Sequence, residues 1–229
     1  MTARPGRRLL VFDLDGTLVD SAGDLAAAVN AMLARLAAGT PPLSEAEVRG
    51  FIGEGARLLV GRSLARAGLT ERPEDALPVF LDCYRAGLLD RTRPYPGVVE
   101  ALDALAGHTL AVLTNKPGEL SRALLEGLGL ARRFARVYGG DDLPRKPDPA
   151  GLHRIMAETG LGAPSTVMVG DSAVDVLTGR AAGVLTVGVS YGFAPGSFAT
   201  HPPDVVLDDL RALPHVLTGL AGTDPSRLC

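Results

Sequence analysis

Cysteine and long apolar runs are both scarce in this chain of 229 residues. The two cysteines, Cys83 and the terminal Cys229, offer neither a disulfide framework nor a metal-ligand cluster, which favours a reducing cytoplasm. The first apolar run, residues 9–12, is too short for a signal peptide or a membrane span. We therefore expect a cytoplasmic protein with no membrane partner.

A strong charge of one sign is also missing, because 23 basic residues face 26 acidic ones and leave a net charge of −3. This balance gives no electrostatic reason to expect a nucleic-acid partner. A glycine-rich Walker loop is absent as well, so nucleotide-driven chemistry of that kind is unsupported. Lysine is rare, and the two that occur, Lys116 and Lys146, therefore need an explanation.

Short apolar runs alternate with helical patterns along most of the chain. Glycine, asparagine or aspartate bounds each run, as is typical of buried parallel strands. The helical patterns between the runs complete βαβ units, so we predict an α/β fold with a Rossmann-like open parallel sheet flanked by helices. The predicted strands are residues 9–12, 110–113, 166–169, 185–189 and 205–207.

Amphipathic helical stripes replace the strand-like runs between the first two predicted strands. The first stripe starts after Ser21, a predicted N-cap, and places Leu25, Val29 and Met32 on one face. Later stripes of the same kind suit a small helical bundle. We predict an inserted α-helical cap domain at residues 20–91, and a core domain made of residues 1–19 and 92–229.

Four groups of polar side chains follow the predicted strands. The carboxyl ends of parallel strands meet at one edge of an open sheet, where ligands bind, so we expect these groups to converge on one crevice. Each group could also have a purely structural role, because aspartate in a turn, helix capping and a solvated surface lysine are all common. The groups are Asp13 with Asp15 and Gly16, Thr114 with Asn115 and the ammonium of Lys116, Lys146, and Asp171 with Asp175.

Convergence of the four groups would supply the parts that phosphoryl transfer requires. These parts are a carboxylate nucleophile, oxygen ligands for Mg²⁺ and hydrogen-bond donors for phosphate. Independent helix capping does not predict such a convergence. The sequence therefore favours a phosphoryl-transfer site over four unrelated structural roles.

The chain resembles the haloacid dehalogenase superfamily through these same four motifs and the helical insertion. The resemblance implies that Asp13 attacks phosphorus to give an aspartyl-phosphate, while Asp15 acts as proton donor and then activates water. It implies Mg²⁺ bound by Asp13, the Asp15 carbonyl and Asp171, with Asp175 as a further ligand or a support. Thr114, Asn115 and Gly16 would contact the substrate beside Lys146, which would offset charge on the nucleophile.

Several stretches most resemble the phosphoglycolate phosphatases of that superfamily, among them residues 20–25, 51–55, 95–98 and 139–147. That resemblance implies hydrolysis of 2-phosphoglycolate, a small phosphate ester, by a monomer or homodimer. Arg57 in the cap is the candidate partner for the substrate carboxylate, against the alternative of an exposed helix arginine. The other substrates left open are pyrophosphate, sugar phosphates and nucleotides, and a catalytically inactive phosphate-binding module is the alternative of another class.

Two other activities of the superfamily are disfavoured by particular residues. Dehalogenases lack the second aspartate of the first motif, so Asp15 favours phosphate esters over carbon–halogen bonds. Phosphonoacetaldehyde hydrolases need a cap lysine for a Schiff base, and residues 21–91 contain no lysine. A phosphoglucomutase activity stays open in principle, although cap residues that would hold a sugar bisphosphate are not recognisable.

Overall fold

The computed structural model describes residues 6–220, so the expectation for Cys229 lies outside the described part of the chain. Within that part, helices and strands alternate along most of the chain. The strands are β1 (Leu9–Phe12), β2 (Val19–Asp20), β3 (Arg93–Pro94), β4 (Thr109–Leu113), β5 (Arg136–Tyr138), β6 (Thr166–Gly170), β7 (Leu185–Val189) and β8 (Val205–Leu207). The helices are α1 (Ala22–Leu36), α2 (Glu45–Arg49), α3 (Ala56–Ala67), α4 (Pro73–Ala86), α5 (Val98–Ala104), α6 (Gly118–Gly127), α7 (Ala150–Thr159), α8 (Ala173–Ala181) and α9 (Leu213–Leu220).

Six parallel strands form the main sheet in the order β5-β4-β1-β6-β7-β8. Side chains of the central strand β1 alternate between two apolar cores. Leu10 and Phe12 pack into the core on one face, and Leu9 and Val11 into the core on the other. A strand buried on both faces reads as an unbroken apolar run, which is why the sequence predicts it well. The predicted α/β fold is confirmed.

Helices cover both faces of the sheet. Leu102 of α5 and Leu124 of α6 belong to the same core as Phe12, whereas Leu152 and Ile155 of α7 pack with Leu9 on the opposite face. This arrangement leaves the carboxyl ends of the strands free to present polar side chains at one edge.

Helices α1 to α4 lie between β2 and β3, the two short strands that pair antiparallel. The most extensive packing among these helices joins α1 to α4. The buried positions on α1 include Leu25, Val29 and Met32, as the amphipathic stripe predicts. On α4 they include Phe80 and Tyr84, which pack in the same core. The insertion thus has an apolar interior of its own, continuous with that of the sheet.

The start of α1 differs from the sequence prediction in the role of Ser21. Ser21 occupies the N-cap position, but its hydroxyl donates to Asp15 Oδ1 at 2.6 Å and caps no helix amide. Asp24, one turn into α1, instead accepts from the amides of Arg91 and Thr92, at 2.9 Å and 2.8 Å. These bonds tie the start of the insertion to its end across 67 and 68 residues. Ser21 as a capping side chain was therefore a wrong prediction.

The edge strand β5 is a further element that the sequence does not predict. Its residues Arg136, Val137 and Tyr138 are exposed or half-buried, so they lack the apolar run that marks the central strands. Among residues 6–220, none of the helices has the length and apolar character needed to cross a membrane.

Candidate active site

Asp13 follows β1 directly and is buried at the edge of the sheet. Its backbone amide donates to the Val169 carbonyl at 2.9 Å, which joins it to the end of β6. Its Oδ1 accepts from the Leu14 amide at 2.7 Å and lies 2.9 Å from Lys146 Nζ. Within residues 6–220 no hydrogen bond reaches the other oxygen, Oδ2. One carboxylate oxygen is thus held in place while the second is free to act.

Lys146 Nζ lies between two buried carboxylates, 2.9 Å from Asp13 and 2.6 Å from Asp175. Burial by itself would lower the pKa of Lys146, but the two carboxylates outweigh it and raise that pKa above its usual value. The ammonium is therefore a permanent positive charge beside Asp13.

Asn115 holds the loop that carries Lys146. Its Oδ1 accepts from the Lys146 amide at 2.9 Å, and its Nδ2 donates at 3.1 Å to the carbonyls of both Lys146 and Gly53. Gly53 belongs to the insertion, so one side-chain amide joins three segments of the chain. The carboxamide of Asn115 is thus engaged within the protein, whereas Thr114 beside it lies in the cavity wall.

Three buried carboxylates meet at this edge, because one oxygen each of Asp13, Asp171 and Asp175 lies within 4.8 Å of the others. Asp171 Oδ2 accepts from the Phe193 amide at 2.6 Å. Burial, followed by the charges of Asp175 and Asp13, raises the pKa of Asp171 to about 8. Burial is also the main cause that raises the pKa of Asp13 to about 6, against the effect of Lys146. Both shifts show that the charged form of these carboxylates is costly where they are buried, and the charge of Asp175 adds to that cost.

A hard divalent cation fits this acidic cluster. One ammonium, Lys146, faces three buried carboxylates, so bound positive charge would relieve their repulsion. Oxygen donors are the ligands that Mg²⁺ prefers. Asp13 and Asp171 are better placed than Asp175 to bind the cation, because both oxygens of Asp175 already accept hydrogen bonds. Its Oδ1 accepts from Lys146, and its Oδ2 from the amide and the hydroxyl of Ser172.

Gly16 makes room for Asp171. A Cβ at Gly16 would lie 2.3 Å from Asp171 Oδ2, and its φ of +86° is in the left-handed region that favours glycine. The Gly16 amide donates to the Val19 carbonyl at 2.9 Å, so it already has an acceptor. In the structure Gly16 therefore shapes the loop around the carboxylates, and its amide is not free to bind a substrate.

Asp15 faces Lys116, which the sequence offered as a donor to phosphate and which the structure pairs with a carboxylate instead. Both of its carboxylate oxygens lie 3.1 Å from Lys116 Nζ, and Oδ1 also accepts from Ser21 at 2.6 Å. Lys116 Nζ in turn donates to Tyr84 Oη at 2.6 Å. The scarcity of lysine and the position directly after a predicted strand both marked Lys116 in the sequence, but neither showed its contact with Tyr84.

A cavity of about 40 Å³ lies between the strand ends and the insertion. Asp13, Asp15, Thr114, Asn115 and Lys116 line it from the sheet. The walls are otherwise largely apolar, and the side chains of Leu25, Ile52, Leu59, Phe80, Leu81 and Leu120 contribute to them.

Arg57, by contrast, does not line the cavity. Its Nε donates to Glu74 Oε1 at 2.8 Å, on the outside of the insertion, and half of its side chain is exposed. The structure thus places Arg57 as an exposed helix arginine, apart from Asp13 and Lys146. The predicted contact between Arg57 and a substrate has no support in this geometry.

Comparison with known proteins decides the family. Residues 10–189 match the family model described as haloacid dehalogenase-like hydrolase. The chain belongs to this family. The predicted hydrolase activity and the resemblance stated from the motifs are thereby confirmed.

Relatives within the hydrolase family carry one recurrent description. The phosphoglycolate phosphatase of Agrobacterium fabrum is 44% identical over 220 residues, which cover 93% of each chain. Phosphoglycolate phosphatase 1 of Pseudomonas aeruginosa is 45% identical over 90% of this chain and 78% of its own. A crystal structure described as a predicted phosphoglycolate phosphatase from Haemophilus somnus matches with a TM-score of 0.83 and 34% identity, over 92% of this chain and 97% of that one.

Proposed function

We propose that this hydrolase is a Mg²⁺-dependent phosphatase that hydrolyses 2-phosphoglycolate to glycolate and phosphate through an aspartyl-phosphate. The observation that carries the proposal is the free Oδ2 of Asp13, next to an oxygen that Lys146 and the Leu14 amide hold in place. The descriptions of the relatives support the substrate. Each chemical step can be assigned to residues already described.

Asp13 acts as the nucleophile. Its Oδ2 attacks phosphorus in line, the bond from phosphorus to the ester oxygen breaks, and an aspartyl-phosphate forms. Lys146 stays charged throughout and keeps the Asp13 carboxylate in orientation through Oδ1. Thr114 and Asn115, at the end of β4, border the position of the phosphoryl oxygens. In the second step water attacks phosphorus, and the Asp13 carboxylate leaves.

Asp15 transfers protons in both steps. Asp15 lines the same cavity as Asp13. In the first step it donates a proton to the glycolate oxygen, and in the second it takes a proton from the attacking water. Ser21 and Lys116 hold its oxygens, so its orientation is fixed between the two steps.

Mg²⁺ would be held by Asp13 and Asp171, together with the Asp15 carbonyl, and Asp175 would support the site through Lys146. When bound, the cation would offset the charge that these carboxylates and an anionic phosphate bring together. The Phe193 amide fixes Asp171 for this purpose. Residues around 193 lie in a glycine-rich and proline-rich loop to which the sequence assigns no function.

The size of the cavity favours a small leaving group. Its volume of about 40 Å³ has room for roughly three water-sized groups, at about 10–15 Å³ for each. Its apolar side chains, such as Leu59 and Phe80, cannot hydrogen-bond the hydroxyls of a sugar. The volume therefore suits a two-carbon leaving group better than a hexose.

A substrate panel tests the proposed function. We expect kcat/KM, measured by phosphate release with Mg²⁺, to be at least about tenfold higher for 2-phosphoglycolate than for glucose 6-phosphate, pyrophosphate or a nucleoside monophosphate, since one lost charged contact is worth that much. EDTA should abolish the release. A clear preference for a hexose phosphate would overturn the substrate, and release unaffected by EDTA would overturn the metal dependence.

Thermal unfolding tests the metal site separately from catalysis. The raised pKa values, about 6 for Asp13 and about 8 for Asp171, mean that the metal-free folded state binds protons that the unfolded chain has released. Its stability therefore falls as pH rises towards the folded pKa values. Because Mg²⁺ displaces these protons, we expect the rise in Tm caused by Mg²⁺ to be larger at pH 8 than at pH 6. At 100 times Kd the stabilisation is about 2.7 kcal/mol.

The matched control for this measurement is Asp171→Asn, which should remove most of the rise in Tm caused by Mg²⁺. A rise of equal size at both pH values would contradict the assignment of these carboxylates as ligands. So would a rise that survives in Asp171→Asn.

A further inference from the structure

Lys116 and Tyr84 form a buried polar pair at the end of the cavity that faces the insertion. Lys116 follows β4 of the sheet, and Tyr84 belongs to α4. Lys116 Nζ donates to Tyr84 Oη at 2.6 Å and lies 4.4 Å from the centre of its ring. The Lys116 side chain is 3% exposed and Tyr84 is 1% exposed. Lys116 orients Asp15 in the proposed chemistry, but Tyr84 has no role there.

Tyr84 has a hydrogen-bond donor that the protein does not use, and Lys116 can share one of its own. Two of the three bonds that Lys116 donates go to the same carboxylate, Asp15, and the third goes to the Tyr84 hydroxyl, so one N–H group can turn to a ligand while Asp15 keeps its partner. Tyr84 accepts from Lys116, but its own hydroxyl proton has no acceptor in that part of the chain. Buried donors without acceptors are costly, so such donors at a cavity wall indicate a ligand that accepts.

A contribution to folding stability does not by itself explain why Lys116 is buried. Removing two charges from water costs several kcal/mol for each ion, so a buried ion pair such as Lys116–Asp15 is often no more stable than an apolar pair of similar volume. The neighbouring walls, which include Leu25, Leu59 and Phe80, are apolar, so a lysine is the exception among them. Among the described residues that line the cavity, Lys116 is the only cation.

We propose that Lys116 and Tyr84 bind the carboxylate of the leaving group, with the Lys116 ammonium and the Tyr84 hydroxyl both donating to its oxygens. This inference rests on the proposed function and names the residues that would select 2-phosphoglycolate. In that substrate a single methylene separates the ester oxygen, which Asp15 protonates, from the carboxylate. Lys116 Nζ lies 3.1 Å from both Asp15 oxygens, so it is close to where the carboxylate must lie.

The pair also accounts for the position of Arg57. A carboxylate receptor inside the cavity makes a second cation from the insertion unnecessary, and Arg57 pairs with Glu74 outside it. Because Tyr84 comes from α4 and Lys116 from the sheet, a bound carboxylate would contact both parts of the chain at once. Recognition of the leaving group would thus hold the insertion against the sheet around the substrate.

Two substrates that differ only in the charged group separate recognition from chemistry. These are 2-phosphoglycolate and 2-hydroxyethyl phosphate, in which a hydroxymethyl group replaces the carboxylate. The quantity measured is the ratio of their kcat/KM values, together with KM and kcat for each. The variants are Lys116→Met, which keeps the apolar stem, and Tyr84→Phe, which keeps the ring. Arg57→Met is the matched control, because it removes a cation from the insertion but outside the cavity.

In Lys116→Met we expect the preference for 2-phosphoglycolate to fall about 10- to 100-fold, as for loss of a hydrogen bond to a charged group. In Tyr84→Phe we expect it to fall about 3- to 10-fold. The loss should appear mainly in KM, because the carboxylate is bound alike in the ground state and the transition state. Arg57→Met should keep the wild-type preference.

The possible outcomes distinguish a failure of the proposed function from a failure of the carboxylate receptor. A wild type without preference for 2-phosphoglycolate would overturn the proposed function itself. A wild-type preference that survives in both variants, or equal losses for the two substrates through kcat, would overturn the carboxylate receptor and leave the proposed function intact. If Lys116→Met does not fold, the decision rests on Tyr84→Phe, whose change of one hydroxyl leaves the apolar packing in place.

Discussion

Asp13→Asn is expected to lower kcat for 2-phosphoglycolate by about 10⁴-fold or more, because a carboxamide cannot replace the attacking carboxylate. Asparagine has nearly the same shape, and its Oδ1 can still accept from the Leu14 amide. Lys146 also keeps its contact with Asp175. The fold should therefore persist, so Tm in EDTA should change little, and the loss should appear in phosphate release with Mg²⁺.

The control for Asp13→Asn is Asp103→Asn, which changes an exposed carboxylate paired with Arg133 at the surface. Exposed pairs of this kind contribute about 0–1 kcal/mol to stability, so neither kcat nor Tm should change appreciably. Asp13→Asn protein that is folded and retains a tenth or more of the wild-type kcat would refute Asp13 as the nucleophile.

Lys146→Met is expected to destabilise the metal-free protein by about 3–5 kcal/mol, the cost of leaving buried charge without its partner. The variant leaves Asp13 and Asp175 buried with no ammonium between them. It should also lower kcat/KM by about 10³-fold, as loss of one preorganised charge does in other active sites. Denaturant unfolding in EDTA measures the first effect, and phosphate release measures the second.

Arg154→Met is the matched control for Lys146→Met, because Arg154 pairs with Glu158 on α7 with 60% of its side chain exposed. We expect its loss to cost less than about 1 kcal/mol. Mg²⁺ should restore part of the stability that Lys146→Met loses, since added positive charge offsets the same carboxylates. A loss below 1 kcal/mol in Lys146→Met would mean that the three carboxylates do not depend on this ammonium.

The central sheet could be predicted from the sequence because its strands are buried on both faces. Leu9–Phe12 and Leu185–Val189 were predicted with the bounds that the structure has. The edge strand Arg136–Tyr138 could not be, because half-exposed polar residues carry no apolar run. The helical insertion was predictable for a similar reason, since the stripe on α1 repeats with the helical period.

Contacts between segments that are far apart in the chain could not be predicted from the sequence. Asp24 could be placed in the first turn of α1 from local pattern, but its hydrogen bonds to Arg91 and Thr92 depend on where the insertion ends. Lys116 meets Tyr84 across 32 residues, and no spacing rule relates them. Arg57 is a cation in the predicted cap, yet local sequence does not show which way a helical side chain points relative to a cavity.

The stereochemical course at phosphorus tests the central claim most directly. The substrate is a thiophosphate analogue of 2-phosphoglycolate, made chiral at phosphorus with oxygen isotopes and hydrolysed in water labelled with a further isotope. Two in-line displacements, first by Asp13 and then by water, each invert the configuration. The account therefore predicts net retention at phosphorus. Net inversion would mean a single direct attack by water and would contradict the aspartyl-phosphate.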